Sequence, residues 1–295
     1  MTPNECRAQL KALVDQRLGD GEGAQWLGSQ VDAVDPTTVG SLMAEVSRRL
    51  GRRPLIAGFV ERGTAKAVGV YGPMRVGHWR TDEAARTLLL AAATDATKRP
   101  LAALFDLYDQ GETDTRVAAL RAINFVDDPD SAQGMTLVHD AGRTYLSELM
   151  DAAWCNNPFT TQHITDLEYR KAVLKALFCD LPIDGFLGLA ERADREMAES
   201  LQDFADERAA AGRAVPSSVW IVAAVHPRPG LVARLIGLLE HPAEEERLTA
   251  ARALANARDA RALSFLAERL EREAHADVRE ALSMAMERTR ARGAS

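Results

Sequence analysis

Apolar residues recur at helical spacing over most of the chain. Leu10 and Val14 share one face of a first predicted helix, which runs from about Pro3 to Leu18. The same spacing predicts a second helix from about Val39 to Leu50. Beyond Thr81, short turns separate further predicted helices, several of them near the C-terminus. The main ones are Asp82–Ala93, Pro100–Leu107, Thr115–Val126, Ala132–His139, Arg143–Trp154, Asp166–Phe178 and Asp194–Ala211.

The segment Gly51–Arg80 departs from this pattern. It is rich in glycine and contains two short pieces that suit strands, Leu55–Ala57 and Ala67–Tyr71. We therefore predict an irregular stretch with a short hairpin. Its glycines fit neither GxGxxG nor GxxxxGK[ST], so turns explain them better than a phosphate-binding loop. Thr81, directly after this segment, is expected to cap the next helix.

The end of the chain is repetitive. His241 recurs as His275, and at the same offset Leu248 recurs as Leu282. Self-similarity at a period of roughly 20–50 residues is typical of helical repeats. We therefore predict an all-α protein, a HEAT-like α-solenoid with an irregular N-terminal portion, whose concave surface would hold a partner or ligand. Alanine-rich helices can imitate a repeat, and this alternative stays open.

Three parts are expected along the chain. Residues 1–80 would form a helical and irregular N-terminal portion packed on the core. Residues 81–225 would form the helical core, and residues 226–295 would form C-terminal HEAT-like hairpins with strongly charged outer faces.

A clear helix start lies in the middle of the core. Thr165 and Glu168 have the spacing of a capping box, and Ile164 and Tyr169 that of a hydrophobic staple. The preceding residues, Asn156–Ile164, are predicted to form an ordered polar loop delivered onto a rigid helix. Such a loop is a favourable place for a binding site.

Several stretches around this loop carry a recognisable pattern. They are Asn156–Phe159, Val173–Phe178, Gly188–Ala193, Phe204–Arg213, Val215–Pro216 and Trp220. In wording, order and spacing they resemble the core signature of the EboA family, over roughly Trp79 to Trp220. The resemblance implies a protein of ebo-type gene clusters, associated with moving or maturing a small metabolite made in the cytoplasm. It implies no particular molecular activity.

Charge and cysteine content narrow the function classes. A net charge of −7 argues against a general nucleic-acid binder and against binding to an anionic membrane surface. Three scattered cysteines form neither a disulfide framework nor a CxxC metal site, which favours a reducing compartment. The N-terminus lacks a basic region, and the longest apolar run, Leu88–Ala93, is too short for membrane insertion. We expect a cytoplasmic protein.

His163 and Asp166 are the candidate catalytic residues. They flank a helix start and could converge as a base and the group that orients it. Alternatively, Asp166 only favours the helix dipole and pairs with Arg170, while His163 closes the loop by bonding to backbone.

The candidate ligand-binding residues lie mainly around the same loop. Asn156 and Asn157 offer uncharged donors and acceptors that suit the hydroxyls of a sugar or cyclitol, or they satisfy carbonyls of the preceding helix. Lys175 could meet an anionic group, or it belongs to a solvated helix face. Further candidate wall residues are Trp79, Arg143 and His139.

No motif indicates a metal ion or another cofactor, since HExxH, paired cysteines and GxSxG are absent. The favoured function is to bind or present a small metabolite, or a biosynthetic partner, during natural-product biosynthesis or export. Two alternatives remain. One is an enzyme acting on a sugar-, cyclitol- or prenyl-derived substrate through His163 and Asp166, and the other is a protein–protein scaffold.

Overall fold

A computed structural model describes residues 1–95 and 97–293. In this part of the chain 69% of the residues are helical, in 17 α-helices, and strands form only one two-stranded sheet. The prediction of an all-α protein is therefore confirmed. No helix within the described ranges combines the length and the apolar character that crossing a membrane requires.

The first eight helices and a small hairpin make up the first part of the chain. They are α1 (Pro3–Leu18), α2 (Glu22–Ala33), α3 (Val39–Leu50), α4 (Phe59–Thr64), α5 (Thr81–Thr94), α6 (Pro100–Gln110), α7 (Thr113–Ala122) and α8 (Ser131–Arg143), with strands β1 (Lys66–Gly69) and β2 (Gly72–Arg75) between α4 and α5.

Nine more helices follow along the chain. They are α9 (Ser147–Trp154), α10 (Pro158–His163), α11 (Asp166–Phe178), α12 (Arg195–Ala210), α13 (Ser217–Ala223), α14 (Leu231–Leu238), α15 (Glu244–Ala257), α16 (Leu263–Arg272) and α17 (Ala276–Gly293). Short 3-10 helices lie at Ile123–Phe125, Ile183–Gly185 and Ala260–Ala262.

The N-terminal predictions are largely confirmed. Helix α1 begins with a capping box in which the Thr2 hydroxyl accepts from the Glu5 N–H and Glu5 accepts from the Thr2 N–H. The predicted second helix is α3, and the hairpin pairs β1 with β2 antiparallel. Helix α2 was not predicted, because Leu27 is its one fully buried apolar residue and leaves little periodic signal.

Three predicted boundaries are wrong. Thr81 is the first residue inside α5, not its cap, and its hydroxyl donates to the Arg53 carbonyl. Arg143 ends α8 and does not start α9. The predicted loop Asn156–Ile164 contains helix α10, because proline is favoured at the first helical position and Asn157 caps the helix.

The chain divides into two compact units. Unit 1 contains Met1–Thr165 and Gly185–Leu187, and unit 2 contains Asp166–Asp184 and Gly188–Ser295. The chain thus leaves unit 1 after Thr165 and returns to it for three residues. The three-part division expected from the sequence stays a prediction.

Helix α5 is the centre of unit 1. It packs against α1, α2, α3, α6 and α7. Helix α7 also packs against α9, and α8 packs against α6 and α9. Because neighbours cover α5 on nearly every side, even its polar residues Thr81, Asp82, Glu83 and Arg86 are buried.

In unit 2, α13, α15 and α17 contact one another in succession, and α14 and α16 pack against α15 and α17. The two copies of the sequence repeat therefore correspond to α15 and α17. Small buried residues such as Ala251 and Ala285 allow these helices to approach closely. The HEAT-like solenoid stays a prediction.

Candidate functional site

Asn157 lies in a buried position where it joins several pieces of backbone. Its Nδ2 donates to the carbonyls of Ala152 at 2.9 Å and Leu120 at 3.3 Å. Its Oδ1 accepts from Asn124 Nδ2 at 3.0 Å and from the Thr160 N–H at 3.2 Å. The amide is thus used for capping and for satisfying helix carbonyls, which is the structural role that the sequence left open.

Asn156 also takes part in backbone geometry. Its φ of 50° lies in the left-handed region, which asparagine tolerates better than most residues. Its N–H donates to the Gly185 carbonyl at 2.6 Å, beside a bridge between Cys155 and Phe186. Asn156 therefore fixes the point where residues 185–187 return to unit 1.

The two candidate catalytic residues have separate partners. His163 Nδ1 is hydrogen-bonded to the Phe159 carbonyl at 2.8 Å, and its ring stacks on the Phe159 ring with centroids 4.4 Å apart. Asp166 is exposed and pairs with Arg192 Nη2 at 2.6 Å. The proposed pairing with Arg170 does not form, because Arg170 binds Asp194 and Glu196.

The remaining candidates lie on several elements. His139 is exposed on α8, and Arg143 at the end of that helix pairs with Asp140 at 2.8 Å. Lys175 is half-buried on α11, in unit 2. Trp79 is only 2% exposed, and the Arg121 guanidinium lies 4.5 Å from the centre of its ring. Trp79 is thus packed beneath a cation within the core of unit 1.

Arg121 joins Trp79 to a cluster of acidic residues. Its Nη1 lies 2.5 Å from Glu83 Oε1, and its Nη2 lies 3.4 Å from Asp151 Oδ2. His78 Nε2 is 3.8 Å from the same Asp151 oxygen. Burial, followed by the charge of Arg121, holds the pKa of His78 below its usual value, so the imidazole is neutral at pH 7.

Asp82, the neighbour of Glu83 in the first turn of α5, belongs to a second network. Its side chain is fully buried and accepts hydrogen bonds from Arg86 at 2.7 Å, Ser47 at 2.8 Å and Arg80 at 3.1 Å. Burial opposes the charged form, but these hydrogen bonds outweigh it and keep the pKa of Asp82 below its usual value. The carboxylate is therefore charged at neutral pH.

Arg86 connects this network to α3. Its Nη2 donates to Ser47 Oγ at 2.7 Å, and its Nε donates to the Met43 carbonyl at 3.3 Å. Only 5% of the Arg86 side chain is exposed. A buried arginine with so many bonds fixes the distance between α3 and α5.

Asp114 connects the network to α7. Its Oδ2 lies 2.5 Å from Arg52 Nη2, and its Oδ1 lies 3.5 Å from Arg80 Nη2. Arg52 is 59% exposed and lies just after α3. Three guanidinium groups, those of Arg52, Arg80 and Arg86, thus share the two carboxylates of Asp82 and Asp114.

A cleft of about 600 Å³ opens over this second network. Helices α3 and α5 and the facing ends of α6 and α7 form its walls. We refer to it as the α3–α5–α7 cleft. Its lining residues are Gly40, Met43, Ala44, Ser47, Arg52, Arg86, Leu90, Leu107, Gln110, Gly111, Glu112, Asp114 and Thr115. The volume lies within the range of small-molecule sites, roughly 300–1,000 Å³.

The comparison with protein families decides what the chain is related to. The family model described as "Metabolite traffic protein EboA" matches residues 7–224. The chain belongs to the EboA family. The resemblance noted in the sequence is thereby confirmed, and the match extends it toward the N-terminus. No curated protein and no solved structure matches the chain.

The EboA match includes the whole α3–α5–α7 cleft. Helices α3, α5 and α7, which contribute Ser47, Asp82, Arg86 and Asp114 to the network, lie within the part of the chain that the family model describes. Within residues 1–95 and 97–293, no group of three or more His, Cys, Asp or Glu side chains is arranged to hold a metal ion.

None of the candidate residues named from the sequence lines this cleft. Asp82 and Glu83 look like ordinary acidic residues at a helix start, and Arg86 looks like an exposed residue one turn later. The sequence of α5 nevertheless indicates buried charges. The helix is apolar on nearly every face and therefore has no solvated side for its charged residues. Buried charges need partners, and that requirement points to a polar network.

Proposed function

We propose that this EboA-family protein binds a small metabolite in the α3–α5–α7 cleft and holds or passes it on during natural-product biosynthesis or export in the cytoplasm. The observation that carries the proposal is a cleft of suitable size over a network of charges whose central pair, Asp82 and Arg86, is buried. Burying such ions costs several kcal/mol each before pairing, so a hydrophobic wall would be simpler if only stability mattered. A prearranged polar floor beside a cavity favours ligand binding.

The family description supports the metabolite part of this proposal. We also propose that the C-terminal helices form HEAT-like pairs, with α14 and α16 in one layer and α15 and α17 in the other. The order of helix contacts in unit 2 supports this arrangement. Such a stack would offer a surface for a biosynthetic partner. The free thiols of Cys6, Cys155 and Cys179 are compatible with the cytoplasm.

An enzyme is the second candidate function, and one observation favours it. When Nδ1 of His163 donates to the Phe159 carbonyl, Nε2 remains an acceptor, as a general base requires. The ligand-binding residues predicted from the sequence stay an alternative proposal to the cleft. They are Asn156, Asn157, Lys175, Arg143, Trp79 and His139. Among them, Asn157 and Trp79 are the most completely buried.

The cleft proposal can be tested with two glycine variants. Gly40 lines the cleft on α3, and a Cβ added there meets no atom within 4 Å. Gly40→Phe should therefore fill the cleft without disturbing the packing beneath it. Gly28→Phe is the matched control, because Gly28 is also helical, also has open space and does not line the cleft.

The measurement is a thermal-shift screen against metabolite extracts, followed by mass spectrometry of the retained compound. A ligand at about a hundred times its Kd should stabilise the wild-type protein by roughly 2.7 kcal/mol. We expect that shift to persist in Gly28→Phe and to disappear in Gly40→Phe. A shift that survives in Gly40→Phe would move the ligand elsewhere, and no shift with any extract would favour the scaffold alternative.

A further inference from the structure

The charges around the cleft are unequal. The network at its base has three guanidinium groups and two carboxylates, so it carries one positive charge in excess. The neighbouring network around Arg121 has the opposite excess, from Asp151, but none of its members lines the cleft. A ligand in the cleft is therefore closest to the positively charged network.

Arg52 is the accessible part of this excess charge. It lines the cleft, its side chain is 59% exposed, and its polar contacts with the described residues use only Nε and Nη2. An arginine has five N–H donors in a planar fork, so Arg52 can bind a second anion while it keeps Asp114. Arg86 lines the same cleft but is committed to Asp82, Ser47 and Met43.

Glu112 is the lining residue that could oppose this effect. It is exposed and, among the described residues, forms no ion pair with Arg52, Arg80 or Arg86. Glu112 thus takes no part in the ion pairs of the network, in which Asp82 and Arg86 are buried and Arg52 is exposed to water like Glu112 itself. The local balance at the base of the cleft therefore remains positive.

The other wall of the cleft is apolar. Among its apolar lining residues Ala44 is exposed, Leu107 is half-buried and Met43 is 6% exposed. Together with the arginine fork, these side chains suit a molecule that has an anionic group at one end and an apolar skeleton at the other.

Building on the proposed function, we propose that the metabolite held in the α3–α5–α7 cleft is an organic anion, whose carboxylate or phosphate ester binds Arg52. Its apolar part packs against Ala44, Leu107 and the accessible edge of Met43. The anion supplies the negative charge that the network lacks, and Asp114 keeps the Arg52 side chain in place for it.

The test uses three probes that share an aromatic ring: phenyl phosphate, benzoate and neutral benzyl alcohol. Each is titrated into the isotope-labelled full-length protein while backbone amide shifts are recorded. We expect saturable shifts in residues 39–52 and 111–116 with at least one anion, and binding of benzyl alcohol that is weaker by about tenfold or more. The comparison of the two anions separates a phosphate ester from a carboxylate.

Two variants decide the role of Arg52. Arg52→Gln should weaken anion binding by about tenfold or more and leave benzyl alcohol unchanged. Arg49→Gln is the matched control, since Arg49 is a nearby arginine, 50% exposed, that pairs with Glu45 outside the cleft. Equal binding of all three probes, an unchanged affinity in Arg52→Gln, or no saturable shift in these segments would overturn the anion proposal. If a metabolite shift sensitive to Gly40→Phe were still found, the proposed function would stand without it.

Discussion

At the scale of single residues, the amide of Asn157 shows how a polar side chain in a suggestive motif is used for architecture. Both its nitrogen and its oxygen make two hydrogen bonds within unit 1. Leaving such buried partners unsatisfied costs about 1–3 kcal/mol for each group.

Asn157→Ala should therefore lower the free energy of unfolding by about 2–4 kcal/mol, because buried carbonyls and an N–H lose their partner. Urea denaturation measures the change. Asn156→Gly is the control, since glycine adopts the left-handed conformation freely and should alter stability by less than about 0.5 kcal/mol. A stable Asn157→Ala protein that no longer binds the metabolite would instead make Asn157 a ligand-binding residue.

The roles of single residues were also the hardest feature to predict from the sequence. The residue types of His163 and Asp166 predict a pair. His163 instead stacks on Phe159 within α10, a helix that the sequence did not predict. Asp166 pairs with Arg192, which is distant in sequence. Arg52, Asp82 and Arg86 were missed because a cleft is formed by several helices and leaves no local pattern.

At the scale of helices and strands, local rules predicted much more. The capping box of α1, the periodicity of α3 and the glycine-rich hairpin follow from neighbours within a few residues. Helix α10 was missed because a single turn and a half gives too short a period to recognise, and the Asn-Pro pair also suits a turn.

Glu273 offers a test of how two helices of the C-terminal repeat are joined. It precedes α17, pairs with Arg247 of α15 at 2.8 Å and accepts the N–H of His275. The hydrogen bond from Arg247 outweighs burial and holds the pKa of this carboxyl far below its usual value. The resulting stabilisation is therefore present above the unfolded-state pKa of about 4.3 and is lost as the pH falls below it.

Glu273→Gln should reduce the free energy of unfolding at pH 7 by on the order of 3 kcal/mol, because it leaves Arg247 without its buried counter-ion. It should also make stability less dependent on pH below about 4.3. Denaturant unfolding at pH 7 and at lower pH measures both effects, and Glu268→Gln, an exposed acidic residue of α16, is the control. An unchanged pH dependence would show that the pair contributes nothing beyond the surface ion pairs.

At the scale of the whole molecule, the residues that matter for the proposed function are concentrated in unit 1. The family match covers residues 7–224, and the cleft lies between helices that are far apart in sequence, from Gly40 to Thr115. The all-α class could be predicted from composition and periodicity, whereas the position of the cleft required the contacts among α3, α5, α6 and α7.

The central claim is that the metabolite binds in the α3–α5–α7 cleft, and hydrogen–deuterium exchange with the recovered ligand tests it most directly. Binding should slow amide exchange in residues 39–52, 81–90 and 107–116, because a ligand there restrains the opening of these helices. The same segments should exchange at the ligand-free rate in Gly40→Phe. Protection confined to residues 156–164, with the cleft helices unchanged, would contradict the account and return the site to the Asn156–Ile164 segment.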